Sequence, residues 1–179
     1  MFLYNRESLE TVLTRFQSEK VGDDDDSQII RVRRKHLWVD SVRSITRPGF
    51  RSNCRLKVHF IGEQAEDEGG PLREFFRLVI NSICDGSGVL QGADKKTFSN
   101  NPLLIERGAY YCAAIITAMS IQQSGPGLNC LSSAVFDYFV GGASLSKPSL
   151  QDVADQDVKL KIEKVITRNY RNRDRKSVV

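Results

Sequence analysis

The sequence predicts an α+β fold that is predominantly helical with a few short strands. Long stretches place apolar residues at helical spacing, two short runs alternate apolar and charged residues, and Gly- and Pro-containing turns separate them. The 179 residues are 40% hydrophobic and 27% charged, which suits one domain with its own core. No apolar run approaches the roughly 20 residues of a membrane span. We therefore expect no membrane association and a cytoplasmic or nuclear location.

The first part of the chain, residues 1–26, is predicted to be a helix followed by an acidic loop. Residues 7–20 carry apolar side chains at helical spacing. We interpret the Asp-rich run at 22–26 as an exposed loop rather than a calcium site. Four adjacent aspartates in a loop lack the alternation that turns ligands inward.

A short strand near residues 29–32 and a helix packed by Trp38 are predicted next. The basic cluster Arg31–Lys35 has two interpretations. It could contact phosphate, or its alternate charges could form the solvent face of a half-buried strand.

Residues 55–63 predict a second strand, with Leu56, Val58 and Phe60 on one face. His59 falls on the other face, which favours a solvent-facing histidine over a catalytic base.

An acidic, glycine-containing loop then leads into a helix. Gly69 and Gly70 permit backbone angles that other residues resist, and Pro71 suits a first helical turn. Asp67 lies just ahead of the helix, where its charge meets the positive end of the helix dipole. The loop has neither the spacing nor the lysine of a phosphate-binding loop.

The remainder is predicted to be helical between turns. Residues 89–105 suggest a loop with short extended pieces, and a strongly apolar helix then ends at the SGPG turn of residues 124–127. A shorter helix at 131–139 is closed by Gly141 and Gly142. A final helical region ends near residue 166, where apolar periodicity stops.

Charge and cysteine content narrow the possible functions. Residues 168–176 alone carry +4, equal to the net charge of the chain, so we predict a basic, disordered tail at 167–179. Nucleic-acid binding through this tail and Arg31–Lys35 is the less favoured interpretation. Four separated cysteines without a CxxC pair, and two histidines, argue against a zinc site. We expect no metal and no cofactor.

The order of these motifs resembles the HECT-type E3 ubiquitin ligase domain. In that family a strand and Gly-Glu lead into Asp-x-Gly-Gly and an Arg-Glu-Phe-Phe helix, as FIGE and DEGGPLREFF do here. IIRVRRKHLWVDSVRSI, GAYYCAAIITAMSIQQSGPG, LSSAVFDYFVGG and SLQDVADQD are similar to other parts of the domain. The resemblance covers residues 27–166, and the SGPG turn looks more like the divergent, cell-cycle-phase-specific ligase group.

The resemblance implies a partial first (N-terminal) lobe, here its large helical part. In the intact family this lobe works with ubiquitin, an E2 conjugating enzyme and a protein substrate. The E2-docking part and the catalytic cysteine would lie beyond Val179, because the resemblance covers only the large part of the first lobe. In agreement with this expectation, no cysteine here follows a threonine as in the family. We interpret the signature residues as architectural, with Arg73 and Glu74 pairing with neighbours. They are Gly62, Glu63, Asp67, Gly69, Gly70, Arg73, Glu74, Phe75 and Phe76.

Two further functions stay open beside a ligase fragment without activity of its own. One is a stand-alone protein-interaction module without catalysis, and the other is the nucleic-acid binder described above. The balanced charge of the first 167 residues argues against nucleic-acid binding.

Overall fold

The computed structural model describes residues 7–20, 27–63 and 70–176. The helices are α1 (Leu9–Lys20), α2 (Leu37–Ile45), α3 (Gly70–Asp85), α4 (Pro102–Glu106), α5 (Ala109–Gln122), α6 (Ser133–Gly141) and α7 (Gln156–Lys176). The strands are β1 (Gln28–Val32), β2 (Leu56–Phe60), β3 (Leu90–Gln91) and β4 (Thr97–Phe98), and short 3-10 turns lie at Arg34–His36, Gly142–Ser144 and Leu150–Asp152. The predicted class, α+β and predominantly helical with a few short strands, is confirmed.

The chain divides into two compact units. The first comprises Met1–Val89 and Asn100–Leu128, and the second comprises Leu90–Ser99 and Asn129–Val179. The domain boundaries expected from the sequence, after residues 26 and 166, stay a prediction.

The first unit contains a parallel pair of strands with one buried face. β1 and β2 pair from Gln28↔Leu56 to Val32↔Phe60, and their residues alternate strictly between buried and outward-facing positions from Ile29 onward. Because side chains alternate across a strand, Ile30, Val32, Leu56, Val58 and Phe60 all point into the core. His59 is exposed, as predicted.

Helix α3 packs its apolar stripe against β2. Phe75, Phe76, Val79 and Ile83 are at most 2% exposed, and they recur at the spacing of one helical face. This is the stripe that the sequence predicts for the helix after the acidic loop.

Helix α2 differs from its prediction in the side chain that it buries. Leu37, Asp40 and Ser41 are its buried residues, whereas Trp38 is half-buried. Leu37, Asp40 and Ser41 stand at positions i, i+3 and i+4, which share one helical face. Trp38, at i+1, is rotated away from this face by about 100°. Two of the three buried positions are polar, so a search for apolar periodicity favours Trp38 instead.

Helix α5 also belongs to the first unit, and it buries Cys112, Ile116 and Met119. Gln123, the residue directly after the helix, forms a hydrogen bond with β2. The backbone N–H of Leu56 donates to Gln123 Oε1 at 3.0 Å. The helix thus contributes both to the core and to the edge of β2.

A short helix, α4, lies where the sequence predicts a loop with extended pieces. The side chain of Asn101 accepts a hydrogen bond from the N–H of Leu103 at 3.1 Å, and Pro102 occupies the first turn. Five residues form too little of a periodic pattern to reveal a helix, although Asn followed by Pro is a typical start signal.

The second unit contains the hairpin of β3 and β4 and the helices α6 and α7. The hairpin strands pair antiparallel, and Phe98 meets Phe139 of α6 edge-on with ring centroids 5.9 Å apart. Gly142 follows α6 with a φ of 66°, a left-handed conformation that glycine adopts readily. Gly142 therefore closes the helix as predicted, whereas Gly141, predicted as part of the closure, is the last residue of the helix.

The disordered tail predicted at 167–179 stays a prediction, and its last three residues lie outside the described residues. Within the described residues, helix α7 differs from the predicted end of the last helical region. It continues to Lys176, ten residues beyond the predicted end. Residues 167–176 lack apolar periodicity but contain no Gly or Pro, and Arg and Lys are good helix formers. Apolar periodicity therefore does not show where this helix ends. Within the described residues, no helix is long and apolar enough to cross a membrane.

Candidate functional site

The candidate site is the connection from β2 to α3 together with the first two turns of α3, a stretch that contains all nine predicted signature residues. Gly62 has a φ of 94°, which an L side chain rarely adopts, and among the described residues no atom beyond its chain neighbours lies within 4 Å of a Cβ built there. Its backbone conformation is therefore what favours glycine. Asp67 and Gly69 lie outside the described residues, and Gly70 begins α3.

Two signature residues anchor the helix side of this connection. Phe75 and Phe76 are 2% and 1% exposed, and their ring centroids lie 5.4 Å apart at an interplanar angle of 54°. Tilted aromatic pairs of this kind are favourable beyond the area that they bury. Both residues therefore have a packing role.

Arg34 holds two carboxylates at opposite ends of the connection. Its guanidinium donates to Glu63 through Nε and, at 2.9 Å, through Nη2. It also donates to Glu74 at 2.8 Å through Nη1 and 3.0 Å through Nη2. The guanidinium carbon lies 4.2 Å from the centroid of the Phe60 ring, within cation–π range. We call Arg34, Glu63 and Glu74 the arginine clamp.

The clamp changes the protonation equilibria of all three groups. Hydrogen bonds from Arg34 lower the pKa of Glu63 and of Glu74, and the hydrogen bonds to Glu63 and then Glu74 raise the pKa of Arg34. All three side chains are 39% exposed, so solvent screens the attraction. The clamp is best understood as a geometric device that joins the end of β2 to the first turn of α3.

The sequence predicts that Arg73 and Glu74 each pair with a neighbouring residue. Glu74 does so through Arg34. Arg73 is exposed in the first turn of α3, and its architectural role stays a prediction.

A second ion pair lies beside the clamp and was not predicted. The carboxylate of Asp40 accepts three hydrogen bonds from Arg33: from its backbone N–H at 2.9 Å, from Nε at 2.9 Å and from Nη2 at 2.8 Å. The side-chain hydrogen bonds from Arg33 are the main reason why the pKa of Asp40 falls to about 2. This pair fixes the start of α2 to the residue that follows β1. An aspartate at i+3 from Leu37, on the buried face, is the signal that could have revealed it.

The basic cluster Arg31–Lys35 is thereby divided into two groups. Arg33 and Arg34 are occupied by ion pairs, whereas the side chains of Arg31 and Lys35 are exposed and form no hydrogen bond or ion pair among the described residues. Arg31 lies on the outward face of β1, which agrees with the solvent-face interpretation for that residue.

The two free thiols among the described residues are poor candidates for covalent chemistry. Cys54 and Cys112 are free thiols that are 2% and 1% exposed. Burial raises the pKa of Cys112, and a nucleophilic thiol needs an accessible thiolate. No group of three or more His, Cys, Asp or Glu side chains could hold a metal ion in the part of the chain that the structure describes. The clamp and its neighbours among the described residues thus hold the two ends of the β2–α3 connection in place and present no reactive group.

Curated relatives of the chain are E3 ubiquitin-protein ligases. The G2/M phase-specific E3 ubiquitin-protein ligase of Gallus gallus is 26% identical over 140 residues, which cover 76% of this chain and 19% of the relative. The Homo sapiens protein of the same name is 24% identical over 130 residues, 71% of this chain and 18% of the relative. The probable E3 ubiquitin-protein ligase HECTD2 of Mus musculus is 43% identical over 54 residues, 30% of this chain and 7% of the relative.

These relatives are HECT-type ligases, so the predicted resemblance is confirmed. The name of the first two agrees with the predicted cell-cycle-phase-specific group. The chain spans about a fifth of the length of these two relatives. No family model matches the chain.

Proposed function

We propose that this chain forms part of the first lobe of a HECT-type E3 ubiquitin ligase and provides scaffold rather than the transferring thiol. The observation that carries the proposal is the similarity to E3 ligases over 71–76% of the chain. The arginine clamp supports it, because Glu63 and Glu74 belong to the signature and Arg34 joins them. Ubiquitin, an E2 enzyme and a protein substrate are then the partners of the intact ligase, in the cytoplasm or nucleus.

The cysteines support a scaffold role. An enzyme that accepts ubiquitin as a thioester needs an exposed, activated cysteine. Cys54 and Cys112 are buried, and none of the four cysteines follows a threonine. In this proposal, the catalytic cysteine and the E2-docking part lie outside these 179 residues.

A thioester assay tests the scaffold role. The chain is incubated with E1, a panel of charged E2 enzymes and labelled ubiquitin, and the products are separated with and without reductant. We expect no reductant-sensitive ubiquitin adduct on the chain. A band that disappears with reductant, and that a Cys→Ser variant abolishes, would assign transfer to the chain itself and refute the proposal.

The ligase assignment itself has a separate test. Sequencing the native transcript through the codon for Val179 is expected to show an in-frame continuation into a segment with a threonine–cysteine pair. A stop codon directly after Val179 in expressed message would contradict membership of a transferring ligase and favour a separate function.

That separate function is a protein-interaction module without catalysis. The observation that favours it is the exposure of apolar side chains on α6, where Phe136, Phe139 and Val140 are 60–66% exposed. Contiguous apolar surface often marks a contact with another protein. A module of this kind would bind a partner stably without forming a thioester, so the same assay combined with affinity capture distinguishes the two functions.

A further inference from the structure

Positive charge is concentrated in one segment of the chain. Residues 27–63 contain nine Lys and Arg against two acidic residues, a net charge of +7, although the chain as a whole carries +4. Both acidic residues are occupied, Asp40 by Arg33 and Glu63 by Arg34. The segment therefore presents a surplus of cations for which it contains no further acidic residue.

The β1–β2 register brings part of this surplus onto one surface. The outward positions are Ile29 beside Lys57 and Arg31 beside His59. Residues at successive outward positions of paired strands lie on the same face of a sheet. Ile61 follows His59 by two residues and is 57% exposed, and its N–H continues the pairing by donating to Val32 O at 2.9 Å.

A shallow concavity of about 300 Å³ adjoins this surface. It is lined by Arg31, Arg33, Asp40, Arg43, Ser44 and Ile61. Arg33 donates three hydrogen bonds to Asp40, so its charge is already balanced. Arg43 approaches the same carboxylate only at 4.0 Å, and its side chain is 75% exposed. Arg31 and Arg43 are thus available to an anion.

The chemistry of this surface favours a protein segment over a nucleic acid. Single-stranded nucleic acids are bound by cationic grooves with exposed aromatic rings for stacking. The described residues of this surface include no Phe, Tyr or Trp; beside the cations and the imidazole of His59 they offer two aliphatic side chains, Ile29 at 48% and Ile61 at 57% exposure. Aliphatic side chains and carboxylates occur together in acidic peptides, and guanidinium groups bind carboxylates with two parallel hydrogen bonds.

We propose that this surface, which we call the basic face (Ile29, Arg31, Arg43, Lys57, His59 and Ile61), binds an acidic segment of a partner protein. Carboxylates of the segment pair with Arg31, Arg43 and Lys57, and its aliphatic side chains contact the two isoleucines. The inference rests on the geometry of the first unit and does not depend on the ligase assignment.

The probe is a short fluorescein-labelled peptide in which glutamates alternate with leucine and serine, measured by fluorescence anisotropy with the full chain. The double variant R31Q/K57Q removes two cations that have no hydrogen bond or ion pair among the described residues, so the fold is retained. We expect it to weaken binding roughly fivefold, because two exposed charge pairs are lost. The matched control K161Q/K164Q removes the same charge from exposed positions of α7 and should leave affinity unchanged.

Two further probes identify the partner class. A peptide with glutamines in place of the glutamates should not bind, and the Ile29→Thr variant should weaken binding of the acidic peptide. A labelled single-stranded RNA should bind more weakly than the acidic peptide. The proposal is overturned if the acidic peptide does not bind, if both double variants lose affinity equally, or if RNA binds more tightly with the same dependence on Arg31 and Lys57.

Discussion

At the scale of single residues, Asp40 shows how a buried carboxylate can join two elements. Its side chain is 6% exposed, whereas that of its partner Arg33 is 46% exposed. Burying a carboxylate is unfavourable unless hydrogen bonds replace its water shell, and the three donors of Arg33 do so. The pair therefore stabilises the fold while the carboxylate is ionised.

The pH dependence follows from the lowered pKa of Asp40, about 2 in the folded chain against 3.8 as the ordinary value. A lowered folded pKa stabilises the native state above the unfolded pKa, and this contribution is lost as the pH falls through the folded pKa. The difference corresponds to about 2 kcal/mol at neutral pH.

We therefore expect Asp40→Asn to lower the free energy of unfolding by about 2 kcal/mol at pH 7. The difference from the wild-type chain should shrink as the pH falls from 4 towards 2, since the wild-type carboxylate is then protonated as well. Urea titrations at both ends of this range measure it, with the exposed Asp94→Asn as control. A difference that stays constant with pH would show that the ion pair does not contribute.

At the scale of elements, the arginine clamp connects β2 and α3 through one side chain. The planar guanidinium presents donors in several directions, so it can serve Glu63 and Glu74 at once. A lysine would supply the charge without this geometry. The first turn of α3 therefore depends on the shape of residue 34 as well as its charge.

Arg34→Lys and Arg34→Ala should both loosen the start of α3. We expect the amide hydrogens of residues 74–76, at the beginning of the internal hydrogen-bond ladder, to exchange several-fold faster with solvent. Lys35→Ala is the matched control, because Lys35 is exposed and has no hydrogen bond or ion pair among the described residues. Unchanged exchange in both Arg34 variants would mean that Phe75 and Phe76 hold this turn without the clamp.

Elements with a strong local pattern could be predicted from the sequence, and those determined by packing partners could not. The alternation in β2 and the apolar stripe of α3 predict their buried faces. Arg34 and Glu63 are 29 positions apart, a relation that no helical or strand period encodes. Asp40 on the buried face of α2 signals a buried ion pair, but Arg33 as its partner follows only from how β1 and α2 pack. Glu74 could be singled out from the signature, but its partner could not.

At the scale of the whole molecule, the charge of residues 1–167 is balanced because acidic and basic segments cancel each other. Acidic runs at 22–26 and 63–68 flank a segment that is strongly basic. The net charge of the whole chain therefore hides the basic face, and a small net charge does not exclude anionic partners. The distribution of charge along the chain is the more informative quantity.

Helix α6 raises a second question about the molecule's surface. A helix that is apolar on all sides is normally buried, yet Ala134 is the only residue of α6 that is buried. Phe136 and Val140, one turn apart, are 61% and 66% exposed. The helix therefore exposes apolar side chains to solvent, and the binding of a hydrophobic dye can measure this exposure.

We expect the native chain to increase the fluorescence of anilinonaphthalene sulfonate, and F136S/V140S to remove a large part of the increase. These substitutions leave the Phe98–Phe139 ring contact in place, so the fold of the second unit should persist, which circular dichroism can check. The control is Tyr111→Ser, an aromatic outside α6 that is 70% exposed, and it should have little effect because it leaves the apolar surface of α6 unchanged. An unchanged signal in the double variant would place the dye-binding surface elsewhere and remove the main argument for an interaction module.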